Sequence, residues 1–352
     1  MNYILPAIFA FSLTLILTII AIFIFPKLGL MDRPEKYGLT RKPIPYYGGL
    51  VLVVVFVITT LIYVKIDIRV IGLLIGSLLI AGVSFIDDLK NLNPWIRLFV
   101  QFLGALVVVL SGIGIESITN PFGGVIELNQ IKFTIEIGQN LVQFSLLAGL
   151  FTIFWIVLIV NTMNFLDGLN GLVSGVGFIA SITIFVLSVS DFNIIDQTTV
   201  ATLAIIIAAS TLAFWIFDFY PAKILMGDTG SMFLGFLLAV FAIFSGGKIA
   251  TAFLVLGFPI LDSFWVISRR IIQGKSPMKG DTKHLHHRLV ELGLSDRKAL
   301  IAIYLLCAFF GGSAVFLGSM QKLYLIIAMG ALMVIMATII VLYTLKRVKK
   351  SG

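Results

Sequence analysis

The sequence predicts an all-α integral membrane protein, a polytopic bundle of about eleven transmembrane helices with its polar loops on the cytoplasmic side and a small external hairpin. Three observations carry this prediction. Hydrophobic residues make up 59% of the 352 and charged ones only 12%, whereas about a quarter of a water-soluble domain is charged. The apolar residues fall into runs that match the roughly 17 to 25 residues needed to cross a hydrocarbon core. Lys and Arg, 25 against 17 acids, collect on alternate loops, as topology signals do.

The first run, Tyr3 to Phe25, has no Lys or Arg before it and no small-residue cleavage pattern after it, so it is expected to be a retained span over 4–25. The next, 48–64, follows "RKPIPYYGG". A third, 70–86, closes on Asp87 and Asp88, and a fourth covers 95–112. Residues 125–137 alternate Ile131, Phe133, Ile135 and Ile137 with Lys132, Thr134 and Glu136, a period of two that predicts the hairpin. Further spans are expected at 142–160, 171–190, 199–217, 230–246, 249–268, 299–318 and 323–345. With no polar linker and no internal repeat, residues 1–352 read as one polytopic membrane domain.

These spans sort 20 of the 25 basic residues onto one side, including Lys27, Arg41, Lys42, Lys90, Arg97, Lys223 and the Arg269–Lys298 loop. Positive residues mark the cytoplasm, so the N-terminus is expected outside and the C-terminus inside. The excess charge is therefore a topology signal and does not point to nucleic acid. Cys307 is the single cysteine, which excludes a disulfide framework and a thiolate metal site.

With that orientation, four polar clusters share the cytoplasmic face: Asp87 and Asp88, "NTMNFLDGLNGL" at 161–172, "YPAKILMGDTGS" at 220–231, and "KGDTKHLHHRL" at 279–289. An Asp pair at the end of a helix faces the negative end of the macrodipole, so something cationic should offset it. Asp87, Asp88, Asp167 and Asp228, with the amides of Asn161, Asn164 and Asn170, offer hard oxygens that suit Mg²⁺, or Mn²⁺, better than zinc. The glycines of "DGLNGL" and "GDTGS" precede new helices, whose N-termini favour anions. Lys42, Arg97 and Arg288 add phosphate partners, and the implied substrate is a diphosphate. One of Asp87 and Asp88 is expected to act as base or nucleophile.

All three histidines, His284, His286 and His287, lie within four residues. Helical spacing puts His284, His287, Arg288 and Glu291 on one face and Leu285, Leu289 and Leu292 on the other, a cationic surface for sugar hydroxyls and phosphates or for lipid headgroups. Each cluster also has a plain reading, as acidic loop, turn, helix cap or surface helix. Asp218 and Asp262 read as polar plugs or helix-end residues. What argues for chemistry is four clusters on one face.

The order "RKPIPYYGGL", "FIDDLKNL", "NTMNFLDGLNGL", "PAKILMGDTGS", "SPMKGDTKHLHHRLVELGLSDRKA" resembles the polyprenyl-phosphate N-acetylhexosamine-1-phosphate transferases across almost the whole chain. Within that superfamily, "HLHHRL" followed by "LGLSDRKA" is similar to the bacterial branch that begins O-antigen, enterobacterial common antigen or teichoic acid assembly. The resemblance implies a multi-pass enzyme of the bacterial inner membrane, with a homodimer left open. It implies the reaction of UDP-GlcNAc with undecaprenyl phosphate, using Mg²⁺, to give undecaprenyl-diphosphate-GlcNAc and UMP. It makes Asp228 a metal ligand with Asn164 as a second, and Asp87 or Asp88 the residue that deprotonates or positions the lipid phosphate. Arg97 and Lys42 become phosphate contacts; Asn161, Asp167 and Asn170 line the nucleotide-sugar pocket; His284, His286, His287 and Arg288 recognise the sugar and its phosphates. Asp218 and Leu225 depart from the pattern, since many relatives carry Asn and an aromatic there. The alternatives are the phospho-MurNAc-pentapeptide transferase reaction and, in another class, a cation-coupled transporter whose acids would sit near the midplane.

Overall fold

The computed structural model describes residues 2–37, 41–120, 124–137, 140–190, 197–244, 249–275 and 284–351. In chain order its elements are α1 (Ile4–Ile24), α2 (Gly49–Tyr63), α3 (Ile68–Lys90), α4 (Pro94–Leu110), β1 (Ser117–Thr119), β2 (Val125–Glu127), β3 (Lys132–Ile137), β4 (Asn140–Ser145), α5 (Leu146–Leu166), α6 (Leu172–Val189), α7 (Thr198–Asp218), α8 (Gly227–Phe244), α9 (Ile249–Ile272), α10 (Leu285–Glu291), α11 (Asp296–Phe316) and α12 (Ser319–Ser351). Among the described residues nine helices are long and apolar enough to cross a membrane: α1, α3, α5 to α9, α11 and the 319–339 part of α12. The other two expected spans, α2 and α4, are apolar but shorter, with 15 and 17 residues. At 1.5 Å per residue α2 covers only about 22 Å.

The bundle is organised around α8, whose apolar window is 89% buried against 6% for that of α12. It packs against α2, α3, α5, α6, α7 and α9, and Phe233, Phe236 and Phe241 are wholly enclosed. In hydrocarbon there is little hydrophobic force between helices, so close contact and small residues decide the packing. Gly49 and Gly230 show this: a Cβ on Gly49 would lie 2.2 Å from the Gly230 amide nitrogen. That approach sets the start of α2 against the start of α8. Large apolar side chains left outside, such as Ile4, Phe23, Leu61, Phe154, Phe309 and Ile339, form the kind of continuous apolar surface that a bilayer covers.

Helix ends differ from the apolar runs in a consistent way. Helix α3 runs on to Lys90, α5 to Leu166 and α9 to Ile272, while α8 starts at Gly227. Asp87, Asp88, Asn161, Asn164 and Asp228 are thus helical, whereas the apolar runs put them in loops. A run ends at its first polar residue, but the backbone ladder continues while its own hydrogen bonds are satisfied.

The connection between α4 and α5 also differs. It holds two antiparallel hairpins instead of one, β1–β2 pairing Ser117 with Glu127 and β3–β4 pairing Lys132 with Ser145 through Ile137 with Asn140. Residues 142–145, expected to open a span, belong to β4, and the helix begins only at Leu146. A short apolar stretch has no period long enough to tell strand from helix.

Candidate active site

The turn from α3 to α4 is three residues long. Asn91 takes the left-handed conformation at φ 51° and its N–H donates to the Asp87 carbonyl at 2.7 Å, which ends α3. Asn93 caps α4 by accepting from the Trp95 amide at 3.0 Å, with Pro94 at the first helical position. So tight a reversal returns Arg97 to Asp87. Nη1 of Arg97 donates to Asp87 Oδ2 at 2.7 Å and to Asp228 Oδ2 at 3.2 Å, while the Leu92 amide donates to Asp87 Oδ1 at 2.6 Å. The cationic partner required by Asp87 is therefore Arg97.

Asp88 is offset differently. Its Oδ1 accepts from the Asp228 amide at 3.1 Å, and its Oδ2 from the Thr229 amide at 3.0 Å and the Thr229 hydroxyl at 2.6 Å. Tyr46 donates to it as well, and the Tyr47 hydroxyl donates to its carbonyl at 3.3 Å. The positive end of the α8 macrodipole and two of its unpaired amides are thus taken by a carboxylate from α3. The N-terminus of α8 thus holds an anion, as the "GDTGS" pattern leads one to expect, but at residues 228 and 229 that anion is the Asp88 carboxylate.

From α5, Asn164 donates to Asp228 and its Nδ2 also reaches the Ser231 hydroxyl at 3.4 Å. One turn earlier, Asn161 Nδ2 donates to Gln101 Oε1 at 2.7 Å, which ties α5 to α4. Asp167 follows the last turn of α5. Its side chain is exposed, but the surrounding protein takes part of its solvation and this, ahead of the charges of Asp218, Asp228 and Asp88, raises its carboxyl well above the ordinary range. Asn170 is half-buried in the next turn. That turn is locked by Asp218, which accepts from the Ser174 hydroxyl at 2.7 Å and from the Gly171 amide. The Tyr304 hydroxyl donates to the Gly171 carbonyl and accepts from Trp215 Nε1 at 3.1 Å.

The histidine helix is shorter than its charge pattern suggests. His284 is its buried N-cap, and its Nδ1 lies 2.9 Å from Asp262 Oδ2, while the Leu285 amide donates to Asp262 Oδ1 at 2.8 Å. The His284 ring lies 5.9 Å, centroid to centroid, from that of Phe165. His284 is therefore turned inward, not set on one outer face with His287, Arg288 and Glu291. His287 and Arg288 are half-buried, and the side chain of His286, with residues 279–283, lies outside the described residues. Arg288 and Asp262 border a cavity of about 430 Å³ that is otherwise mostly apolar, walled by Phe264, Trp265, Met333 and Val334.

Lys42 is exposed on the segment leading into α2, held in place where Asp32 accepts from the Ile44 amide at 2.8 Å. That segment does more than anchor the chain, because its Tyr46 and Tyr47 reach Asp88. The sequence gives no role to Tyr46, Thr229 or Gln101 and leaves Asp262 as a plug or helix-end residue. Only Asp262 carried a signal, as an ionisable residue inside an apolar run.

The donor set fits a hard divalent cation. Asp87 and Asp228 converge on one cationic group, Arg97, so the space between them selects positive charge, and the oxygens of Asn164, Ser231 and Asp88 are near. Among the described residues no three His, Cys, Asp or Glu side chains already form a metal-binding group. One or two carboxylates with neighbouring amide and hydroxyl oxygens are enough for a hard divalent cation that completes its shell with water and phosphate oxygens.

Comparison with known proteins gives the family. The model of a family described as "Glycosyl transferase family 4" matches residues 70–246, a stretch that begins in α3 and ends just past α8. The chain is 32% identical over 314 residues to the "Probable undecaprenyl-phosphate N-acetylglucosaminyl 1-phosphate transferase" of Bacillus subtilis, covering 87% of this chain and 82% of that protein. It is 29% identical to the decaprenyl-phosphate N-acetylglucosaminephosphotransferase of Mycolicibacterium smegmatis, covering 82% and 76%. It is 27% identical to the undecaprenyl-phosphate alpha-N-acetylglucosaminyl 1-phosphate transferase of Thermotoga maritima, covering 91% and 90%.

Proposed function

Since the chain belongs to glycosyl transferase family 4, we propose that it transfers GlcNAc-1-phosphate from UDP-GlcNAc to undecaprenyl phosphate, releasing UMP, at the cytoplasmic face of a bacterial inner membrane. The observation that carries this reading is the convergence of Asp87 and Asp228 on Arg97 at one end of the bundle, a charged cluster built to hold a cation and phosphates together. It sits at the helix ends, not at mid-membrane, which favours an enzyme over a cation-coupled transporter. The sugar named for the relatives favours UDP-GlcNAc over UDP-MurNAc-pentapeptide as donor.

In this reading an oxygen of the lipid phosphate attacks the β-phosphorus of UDP-GlcNAc, the bond from that phosphorus to the bridging oxygen breaks, and UMP leaves with the electron pair. Asp228 and Asn164 would hold Mg²⁺ or Mn²⁺, which would supply charge neutralisation for the phosphates when bound. Asp88 orders the first turn of α8 and so places Asp228. Asp87 Oδ2 takes the proton of a monoanionic lipid phosphate as Arg97 turns to the anionic substrate. Engagement of both Asp88 oxygens favours direct displacement over an aspartyl-phosphate intermediate on that residue. Asn161, Asp167 and Asn170 line the donor side; Lys42, His287 and Arg288 meet phosphates, with His286 beside them in sequence. Residues 1–352 act as one catalytic domain with the N-terminus outside.

The test is incubation of purified protein with UDP-GlcNAc, undecaprenyl phosphate and Mg²⁺, with mass spectrometry of the lipid and parallel runs with other UDP-sugars. The expected product is undecaprenyl-diphosphate-GlcNAc. UMP release only with UDP-MurNAc-pentapeptide, or ion uptake in liposomes with no UMP release, overturns the reading.

A further inference from the structure

Asp262 lies inside α9, one turn after Pro259, and is only 6% exposed. A buried carboxylate in a membrane span carries a large desolvation cost unless it is well partnered. Its two oxygens are used on one object. Oδ2 meets His284 Nδ1 at 2.9 Å and Oδ1 accepts the Leu285 amide at 2.8 Å, so both bonds go to the first residues of α10. A carboxylate accepting at both oxygens requires Nδ1 to carry the proton, which fixes the imidazole tautomer and ring plane. The ring is then set toward Phe165, the neighbour of Asn164 and two residues from Asp167. On the other side of the contact, Leu289 and Leu292 pack against the main core. Helix α10 is thus seated by one polar clamp at its start and an apolar face behind it, with His287 and Arg288 between them. Seven residues are too few to hold a helix without tertiary support.

We infer that Asp262 is a positioning residue: by holding the His284 ring and the Leu285 amide together it docks α10 on the bundle and sets where His287 and Arg288 meet the phosphates of the nucleotide sugar. The functional half of this inference rests on the proposed reaction; the clamp itself does not.

The experiment uses full-length protein in detergent and the substitutions Asp262→Asn, His284→Ala and the pair together. An Asn side chain has one acceptor where Asp has two, so the variant either loses one of the two bonds or keeps both only by moving the imidazole proton to Nε2, away from the tautomer that Asp262 sets. Hydrogen exchange of the peptide containing Leu285 is expected to quicken about tenfold in Asp262→Asn, with peptides from α3 and α8 unchanged. The KM for UDP-GlcNAc is expected to rise about tenfold, with the thermal midpoint close to that of the parent protein. The double variant is expected to lose no more kcat/KM than His284→Ala alone, since both changes remove one interaction. Unchanged exchange at Leu285, losses that multiply in the double variant, or a loss confined to kcat with a lowered thermal midpoint would each overturn the inference. If Asp262→Asn does not accumulate, His284→Ala must itself show the faster exchange and raised KM. Failure of the parent protein to release UMP counts against the reaction instead, and the exchange result then decides whether Asp262 holds α10.

Discussion

The backbone amide of Asp228 donates to Asp88 Oδ1 at 3.1 Å, so the first turn of α8 is capped by a carboxylate from α3. Removing that cap leaves the Asp228 and Thr229 amides without their acceptor in a half-buried site. Asp88→Ala is expected to cost about 1 to 3 kcal/mol of stability and to reduce UMP formation at least a hundredfold by letting Asp228 move. Asp88→Asn keeps one acceptor but turns an N–H₂ toward a donor, so its stability should fall between the two. Thermal unfolding and UMP release, measured on the same preparations, check this; an Asp88→Ala protein of parental stability would contradict the cap.

Arg97 divides one guanidinium nitrogen between Asp87 and Asp228. Loss of its charge leaves two acids facing each other across a space that a divalent ion can fill. Arg97→Gln should therefore bind Mn²⁺ more tightly than the parent, by about tenfold, while turning over at least a hundredfold more slowly. Arg97→Lys keeps the charge but not the planar fork, and is expected to restore only part of the rate. Isothermal titration with Mn²⁺ in the absence of substrate reads the first effect; weaker Mn²⁺ binding in Arg97→Gln would mean that Arg97 does not compete for the metal position.

The pairing of Asn161 with Gln101 supplies a third expectation. Asn161 Nδ2 donates to Gln101 Oε1 at 2.7 Å and to the Val157 carbonyl at 2.8 Å. Gln101 is only 3% exposed, and its amide also approaches Met232 on α8. Gln101→Leu fills the same space without a partner for Asn161, and should lower kcat/KM for UDP-GlcNAc about tenfold by freeing that side chain. Gln101→Glu retains the acceptor and should lie nearer the parent. Equal losses in the two variants would point to packing alone.

The helices were legible because hydrocarbon demands long apolar runs, and the clusters were legible because polar groups at membrane depth are scarce. What the runs could not reveal was which carboxylate meets which helix. Three times an Asp of one spanning helix takes an amide at the start of another helix: Asp88 for α8, Asp218 for α6 and, from the middle of α9, Asp262 for α10. These partners are separated by 140 residues for Asp88 and Asp228 but by 23 for Asp262 and Leu285, and no local spacing encodes either. Asp218 and Asp262 look like plugs until the helix each one caps is in view. The hairpins were only half legible, since β4 runs directly into α5 at Ser145 with no glycine, proline or charged residue to divide strand from helix.

Asp228 and the divalent ion give the last expectation. Asp228 stands at the first turn of α8, within reach of Arg97 and Asn164. No other described acid both faces Arg97 and belongs to the helix that Asp88 orders. Asp228→Ala should abolish UMP formation while retaining the Asp88 cap, because the cap uses the residue 228 amide and not its side chain. Its thermal midpoint should therefore stay near that of the parent, in contrast to Asp88→Ala. Chelation by EDTA should abolish parental activity, with recovery on Mg²⁺ or Mn²⁺ and little on Zn²⁺, whose preference is for nitrogen and sulfur ligands. Near-normal turnover in Asp228→Ala, or full activity in EDTA, would remove the metal from this site.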